Sequence, residues 1–364
     1  MIPTLGNFVQ RHAEAVASMH NVCALYIKED PTQKEDILLE DEFYQGVKTT
    51  VVYYRSGGNT LWRRWRAFQK GIAFLKKQDR FHFDVVQFNI IWNCAWQAWW
   101  LKKRYGIPYI ISENYTGFDT TSRSDQPRGL KFFSKIITRN AAYVCPVTKN
   151  LEQVMKNYGL TGNYWIVPNV VNTDLFQLHQ PSDDVIKFLH VSTLNDAHKN
   201  ISGMLRCWKK VSDQLQNVHI SIGGDGPYQD FEKMAEELQI RKESISFFGV
   251  KTPSEVAQLM STSHCLVLFS NYENLPLVIV EALASGLAII STNAGGVSEH
   301  IDSQLGIVIQ KRDEQALTMA LIEFVATRGR FKAEVQRKYA VEHFSIPSIS
   351  KQFDAVYQSA IGKK

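Results

Sequence analysis

One arrangement limits the fold of this chain more than any other: short apolar runs that alternate with helix-length segments from one end to the other. It is clearest at 265–291. There Cys265-Leu-Val-Leu-Phe269 and Leu287-Ala-Ile-Ile-Ser291 flank the apolar stretch 276–285. Runs of four to eight apolar residues bounded by turn signals read as buried strands, and the longer stretch between them as a helix. Strand, helix and strand in series require a crossover, so the two strands lie parallel in one sheet with helices over its faces. The same alternation predicts strands at 22–27, 47–54, 83–88, 109–112, 143–147 and 165–169. It continues at 186–192, 218–222, 245–248 and 306–309, with helices at 61–77, 91–105, 130–140, 149–158, 201–211, 228–238 and 253–260. Residues 114–129 read as a loop, and the polar stretch 177–184 with Pro181 as an interdomain linker. At 364 residues there is chain enough for two such units.

Ligands of open parallel sheets bind outside the carboxyl ends of the strands. Glu273 falls on the loop leaving one strand, and Glu281 in the helix that follows, inside Leu277-Val-Ile-Val-Glu-Ala-Leu-Ala. Ordinary surface acids are the competing reading. An acid in a segment apolar nearly all round nevertheless needs a partner. Carboxylates only accept hydrogen bonds, so they suit ligands rich in hydroxyl donors.

The Glu273, seven residues, Glu281-Ala pattern followed by Ser285-Gly286 resembles the signature of family 4 retaining glycosyltransferases with the GT-B fold. Five more segments fall in the right order. Gly223-Gly-Asp-Gly-Pro227 is similar to the family's turn beside the nucleotide base, which implies donor binding by Gly224, Asp225 and Gly226. Lys199 takes the place of a lysine that neutralises the leaving diphosphate. The arginine expected six residues earlier is Thr193, so that role passes to a hydroxyl, backbone N–H groups or another cation. Pro168-Asn169 opens a segment assigned to the interdomain cleft, with Val170 and Asn172 in place of the usual Gly and Asp. Asn114, beside Glu113, stands where the family often has a histidine near the sugar, and an amide cannot shuttle a proton. Gly6 precedes the first helix. The family's preceding strand has no counterpart in the five residues before it, which would leave neighbouring strands with unpaired backbone groups.

The resemblance implies two Rossmann-like domains facing a cleft. Residues 1–178 form the acceptor side, joined by the final helix (346–364), and residues 179–345 the nucleotide-sugar side. It also implies that Glu281 receives ribose hydroxyls and Glu273 the donor sugar, with Asn274 and Leu275 supplying backbone N–H groups. The expected activity moves a sugar from a nucleotide-diphosphate donor to a glycan or lipid-linked hydroxyl, in polysaccharide or glycolipid assembly. A non-catalytic GT-B protein that binds nucleotide or glycan is the alternative, and a pyridoxal-phosphate phosphorylase a third.

No Asp-x-Asp and no metal-ligand spacing occurs, so no metal or other cofactor is expected. A P-loop and a Gly-x-Ser-x-Gly elbow are also missing. The five cysteines lack paired spacing, and neither a signal peptide nor a membrane-length apolar run is visible. A cytoplasmic protein is expected, peripheral at the inner membrane face. The net charge of +5 is uneven: residues 1–170 carry 22 Lys and Arg against 14 Asp and Glu. That excess suits a membrane surface, a lipid diphosphate or nucleic acid, or is simply solvated. No nucleic-acid module is recognisable. The helix at 61–77 interleaves Trp62, Trp65 and Phe68 with Arg63, Arg64, Arg66 and Lys70. It reads either as core packing with a basic outer face or as a membrane-surface helix.

Overall fold

The computed structural model describes residues 7–58, 60–118, 128–178, 182 and 184–362. Gly6, part of the loop 114–129 and part of the linker 177–184 therefore lie outside the described residues. The first half runs α1 (Asn7–Ala17), β1 (Cys23–Asp30), β2 (Ile37–Tyr44), β3 (Val47–Arg55), α2 (Thr60–Lys77), β4 (Val86–Asn89), α3 (Ile91–Tyr105), β5 (Tyr109–Glu113), α4 (Arg128–Asn140), β6 (Tyr143–Pro146) and α5 (Lys149–Tyr158). The second half runs β7 (Ile186–Thr193), α6 (Asp196–Lys199), α7 (Ile201–Gln214), β8 (Val218–Asp225), α8 (Gln229–Glu237), β9 (Ile245–Phe248), α9 (Pro253–Ser261), β10 (Cys265–Leu268), α10 (Leu277–Ala284), β11 (Ala288–Thr292), β12 (Gly306–Ile309), α11 (Glu314–Thr327), α12 (Ala333–Phe344) and α13 (Ile346–Gly362).

The second half holds one six-stranded sheet, parallel throughout, in the order β12-β11-β10-β7-β8-β9. Strands β10 and β11 are buried along their whole length, as strands covered by helices on both faces are. Strand order reverses at β7. The chain moves outward through β8 and β9, then returns to place β10 on the other side of β7. Loops leaving β7 and β10 thus diverge above neighbouring strands and open a crevice.

The first half contains two three-stranded sheets, β1-β3-β2 and β4-β5-β6. Pairing is parallel except for the hairpin β2–β3, where Tyr44 pairs with Val47 across Gln45-Gly46. Both turn residues have positive φ, the geometry of a tight two-residue hairpin. The apolar alternation predicts only the second of these two strands. Among the described residues β1 and β4 have a ladder partner on one side only, while Leu25, Ile27, Val86 and Phe88 share an apolar cluster with Phe68, Ile72 and Leu101. The stretch 165–169 is no separate strand. It is extended and hydrogen-bonded to β6 through Trp165 and Val167.

Two features join the halves. Ile111, Val147 and Leu151 from the first belong to the same apolar cluster as Leu275, Ile279 and Val297 from the second. The final helix α13 lies against α1, where Ile349, Phe353, Val356 and Tyr357 pack with Ala15, Val16, Ile110 and Cys145. Helix α2 buries Phe68 and Ile72, and Trp65 sits in an aromatic group with Phe68, Trp96 and Trp100. The interfacial place expected for Trp65 is therefore taken by packing. Arg63 donates to the carbonyls of Arg55 and Ser56, and Arg66 pairs with Asp36. No helix among the described residues is long and apolar enough to cross a membrane.

Candidate active site

The site is built on the carboxyl edge of the six-stranded sheet. After β7 the chain makes the short helix α6, capped by the Asn195 side chain, with Lys199 as its last residue. After β10 it runs through 269–276 to the apolar helix α10. The two loops are tied by Asn271 and Tyr272, whose backbone N–H groups donate to the His198 carbonyl. Lys199 Nζ reaches Glu273 Oε1 at 2.6 Å across the strand-order reversal, and both side chains are largely buried. Beneath them His190 bridges β7 and β10, with Nδ1 2.8 Å from the Val267 carbonyl and Nε2 2.8 Å from Ser192 Oγ. Burial, and to a lesser degree the Lys199 charge, lower its pKa to about 4, so it is neutral at pH 7.

Glu281 lies just over one turn into α10, with its side chain 9% exposed. The partner that such an acid needs is Arg11 of α1, from the other half of the chain, whose guanidinium Nη2 donates to it. The other terminal nitrogen, Nη1, is buried with no hydrogen-bond partner among the described residues. Sequence reasoning missed Arg11, because nothing local links residues 270 positions apart.

An amide network crosses between the halves. Asn274 Nδ2 donates to the Asn114 carbonyl at 2.8 Å, and buried Asn169 donates to the Leu275 carbonyl at 2.6 Å. Asn114 Nδ2 lies 3.4 Å from Asn169 Oδ1. Asn114, Asn169, Asn274 and Leu275 are thus brought together. Gly295, at φ +59, and Gly296 pack over the same strip. A Cβ on Gly295 would overlap the Glu273 carbonyl, and Gly296 donates to the Asn274 carbonyl. The glycine pair after β11 is a sequence signal that could have pointed here.

Glu113 falls elsewhere than expected, and Gly224 and Leu275 also make structural contacts. Glu113 is wholly buried rather than on the cleft surface. Its carboxylate accepts the backbone N–H groups of Ile91, Asn114 and Tyr115, which caps α3 and fixes the turn after β5. Desolvation pushes its pKa up to about 7, against the opposing pull of those three donors. Gly224 belongs to the end of β8, and the space a Cβ would need there is filled by Ser192 backbone. Leu275 is a core side chain. Thr193 and Asp225 lie side by side at the ends of β7 and β8, and Gly226 follows at φ +138 against Leu194. No cluster of three potential metal-ligating side chains occurs among the described residues.

A doubly wound second half, a first half of mostly parallel strands and helices, and a last helix returning to that first half fit the GT-B class. Residues 5–175 match the family model described as Glycosyltransferase Family 4, and residues 171–343 that described as Glycosyl transferases group 1. The chain belongs to these family 4, group 1 glycosyltransferases. It is 24% identical over 222 residues to a phosphatidylinositol N-acetylglucosaminyltransferase subunit from Arabidopsis thaliana, covering 60% of this chain and 49% of that protein. The chain therefore spans about half the length of that relative. Among solved structures it resembles sucrose-phosphate synthase from Thermosynechococcus elongatus, with a TM-score of 0.78 and 19% identity over 98% of this chain and 94% of that one. It also resembles Anabaena Alr3699/HepE in complex with UDP, with a TM-score of 0.71 and 15% identity over 86% of this chain and 87% of that one.

Proposed function

We propose that this protein transfers a glycosyl group from a nucleotide-diphosphate sugar to an acceptor hydroxyl, with retention and without a metal ion. The observation that carries this reading is the meeting of Lys199 and Glu273 at the strand-order reversal, with Glu281 one helical step away. In this reading Glu281 exchanges its contact with Arg11 for the ribose hydroxyls, each a donor to a carboxylate. Glu273 holds hydroxyls of the donor sugar. Lys199 offsets the charge that develops on the diphosphate as the glycosidic bond breaks, in a site where burial strengthens that attraction. The N–H groups around Asn274 and the α1 N-terminus, near Gly6, add dipoles of the same sign.

The acceptor enters from the first half, beside Asn114 and Asn169. Amides can fix its hydroxyls but cannot remove a proton. Retention then follows from same-face substitution, in which a leaving phosphate oxygen takes the acceptor proton as the new bond forms. A glycolipid or cell-surface polysaccharide acceptor fits the lipid named in the Arabidopsis relative, and a uridine diphosphate donor fits the ligand of the Anabaena structure.

Incubation with a panel of nucleotide sugars, scoring release of nucleoside diphosphate, tests the reading. The anomeric configuration of the product is read by NMR. Turnover should persist in EDTA. Inversion at the anomeric carbon, or complete loss on chelation with recovery on adding Mg²⁺, would overturn the mechanism. No release from any donor would overturn the activity.

A further inference from the structure

A surface of one charge sign lies on α3 and α4. Between them the two helices carry seven Lys and Arg and no Asp or Glu. They pack against each other, so their outer faces form one surface. On it Phe132 and Phe133 are adjacent, 63% and 57% exposed, with ring centroids 6.0 Å apart. Lys135 and Arg139 stand one and two turns further along the Phe132 face, both exposed. Trp99 and Lys103 of α3 are exposed alongside. A basic face with aromatic residues at its centre is unfavourable in water alone. It matches a surface that is negatively charged outside and apolar a few ångströms in.

The contrast with α2 is instructive. That helix is equally basic in sequence, but Arg66 pairs with Asp36, Arg63 holds backbone carbonyls and Trp65 is packed inward. Two of its cations are thus held by the protein itself, whereas no hydrogen bond or ion pair to a carboxylate is found for Lys135 or Arg139 among the described residues.

We propose that the α3–α4 face docks on an anionic lipid bilayer, with Phe132 and Phe133 inserted among the acyl chains and Lys103, Lys135 and Arg139 at the phosphates. Asn114, whose carbonyl meets Asn274 in the cleft, lies between β5 and α4 in the chain. Docking would thus present a lipid-linked acceptor to the first-half side of the site. That delivery step, unlike the docking itself, rests on the function proposed above.

Sedimentation with vesicles tests the docking without reference to catalysis. The parent should bind vesicles of phosphatidylcholine mixed with phosphatidylglycerol, less so as salt rises, and pure phosphatidylcholine poorly. Phe132→Ser with Phe133→Ser, and separately Lys135→Gln with Arg139→Gln, should each weaken binding at least tenfold. Trp62→Ser with Lys70→Gln on α2 should leave it unchanged. Parental thermal unfolding of every variant checks that the fold survives. The proposal falls if the α4 variants sediment like the parent, if only the α2 variant loses binding, or if the parent binds neither vesicle. It also falls if the same face retains single-stranded RNA more tightly than vesicles.

Discussion

Arg11 and Glu281 offer the sharpest test, because one ion pair joins the two halves of the chain and occupies the acid assigned to the donor. Replacing Arg11 by Met keeps the apolar stem of the side chain and removes its charged end, leaving the Glu281 carboxylate buried without its cation. Removing one partner of a fully buried pair costs about 3–5 kcal/mol. Arg11 is 18% exposed and water can partly replace it, so the expected loss is about 2–3 kcal/mol. Glu281→Gln costs less, about 1–2 kcal/mol, because the amide oxygen still accepts from the guanidinium. In the double variant neither charge is stranded. Its loss should fall short of the summed single losses by about 1–3 kcal/mol. Urea unfolding of the four proteins measures this coupling, and hydrogen exchange places it on α1 and α10. Ligand binding should separate the two residues. Glu281→Gln should weaken nucleoside-diphosphate binding roughly ten- to hundredfold, one charge-assisted hydrogen bond being worth about 1.5–3 kcal/mol. Arg11→Met removes a competitor for Glu281, so affinity for the uncharged nucleoside should hold or improve. Additive stabilities would refute the pairing, and unchanged nucleotide affinity in Glu281→Gln would refute the assignment of the acid.

Gly295→Ala should displace the Glu273 backbone, since the added methyl has no room and φ is unsuited to alanine; transfer activity should fall at least tenfold, and a parental rate would show that the loop relaxes freely. Glu113→Gln leaves at least one backbone donor without its acceptor, so stability should drop by about 1–3 kcal/mol while KM for donor stays put, and a large KM change would return Glu113 to the cleft. His12, His190 and His300 are held neutral by burial, each with a pKa of about 4. Between about pH 4.5 and 6.5 the unfolded chain takes up these three protons and the folded chain does not, whereas folded Glu113 keeps one proton that the unfolded chain has lost. The net difference is at most about two protons and shrinks toward pH 6.5, so stability should rise with pH across this window, by roughly 2 kcal/mol per unit near its middle. A flat or falling midpoint in denaturant titrations would contradict it.

Much of this architecture could be read from local pattern. The bounds of α3, α5, β9 and β12 agree with the periodicity to the residue, because each is a complete apolar signal between turn residues. Strand β2 escaped because Glu40-Asp41-Glu42 breaks its alternation. An edge strand can carry charge on both faces, and the informative residue was Gly46 in the turn. The carboxylates at 273 and 281 were visible, since an acid in an apolar helix is an anomaly in one dimension. Their partners were not. Arg11 is one basic residue in an ordinary amphipathic helix until α1 is set against α10. Glu113 illustrates the reverse case: its position beside Asn114 pointed to the cleft, but the strand delivers its side chain into the core. Of the Trp and Arg pattern of α2, packing takes Trp65 and Phe68 while Trp62 stays exposed, and the outward aromatic pair of α4 was the weaker pattern in sequence.

The return of α13 to α1 also has a consequence in time. During synthesis the first half leaves the ribosome before residues 346–362 exist, so α1, Ile110 and Cys145 wait with an apolar flank open. Domains commonly complete themselves from the N-terminus as they emerge, at roughly 5–20 residues per second. Here that order is interrupted, and the apolar flank stays open until residues 346–362 have emerged. A nascent chain stalled at residue 345 should be cut readily by protease within its first half while its second half resists, and release of the full chain should close that difference.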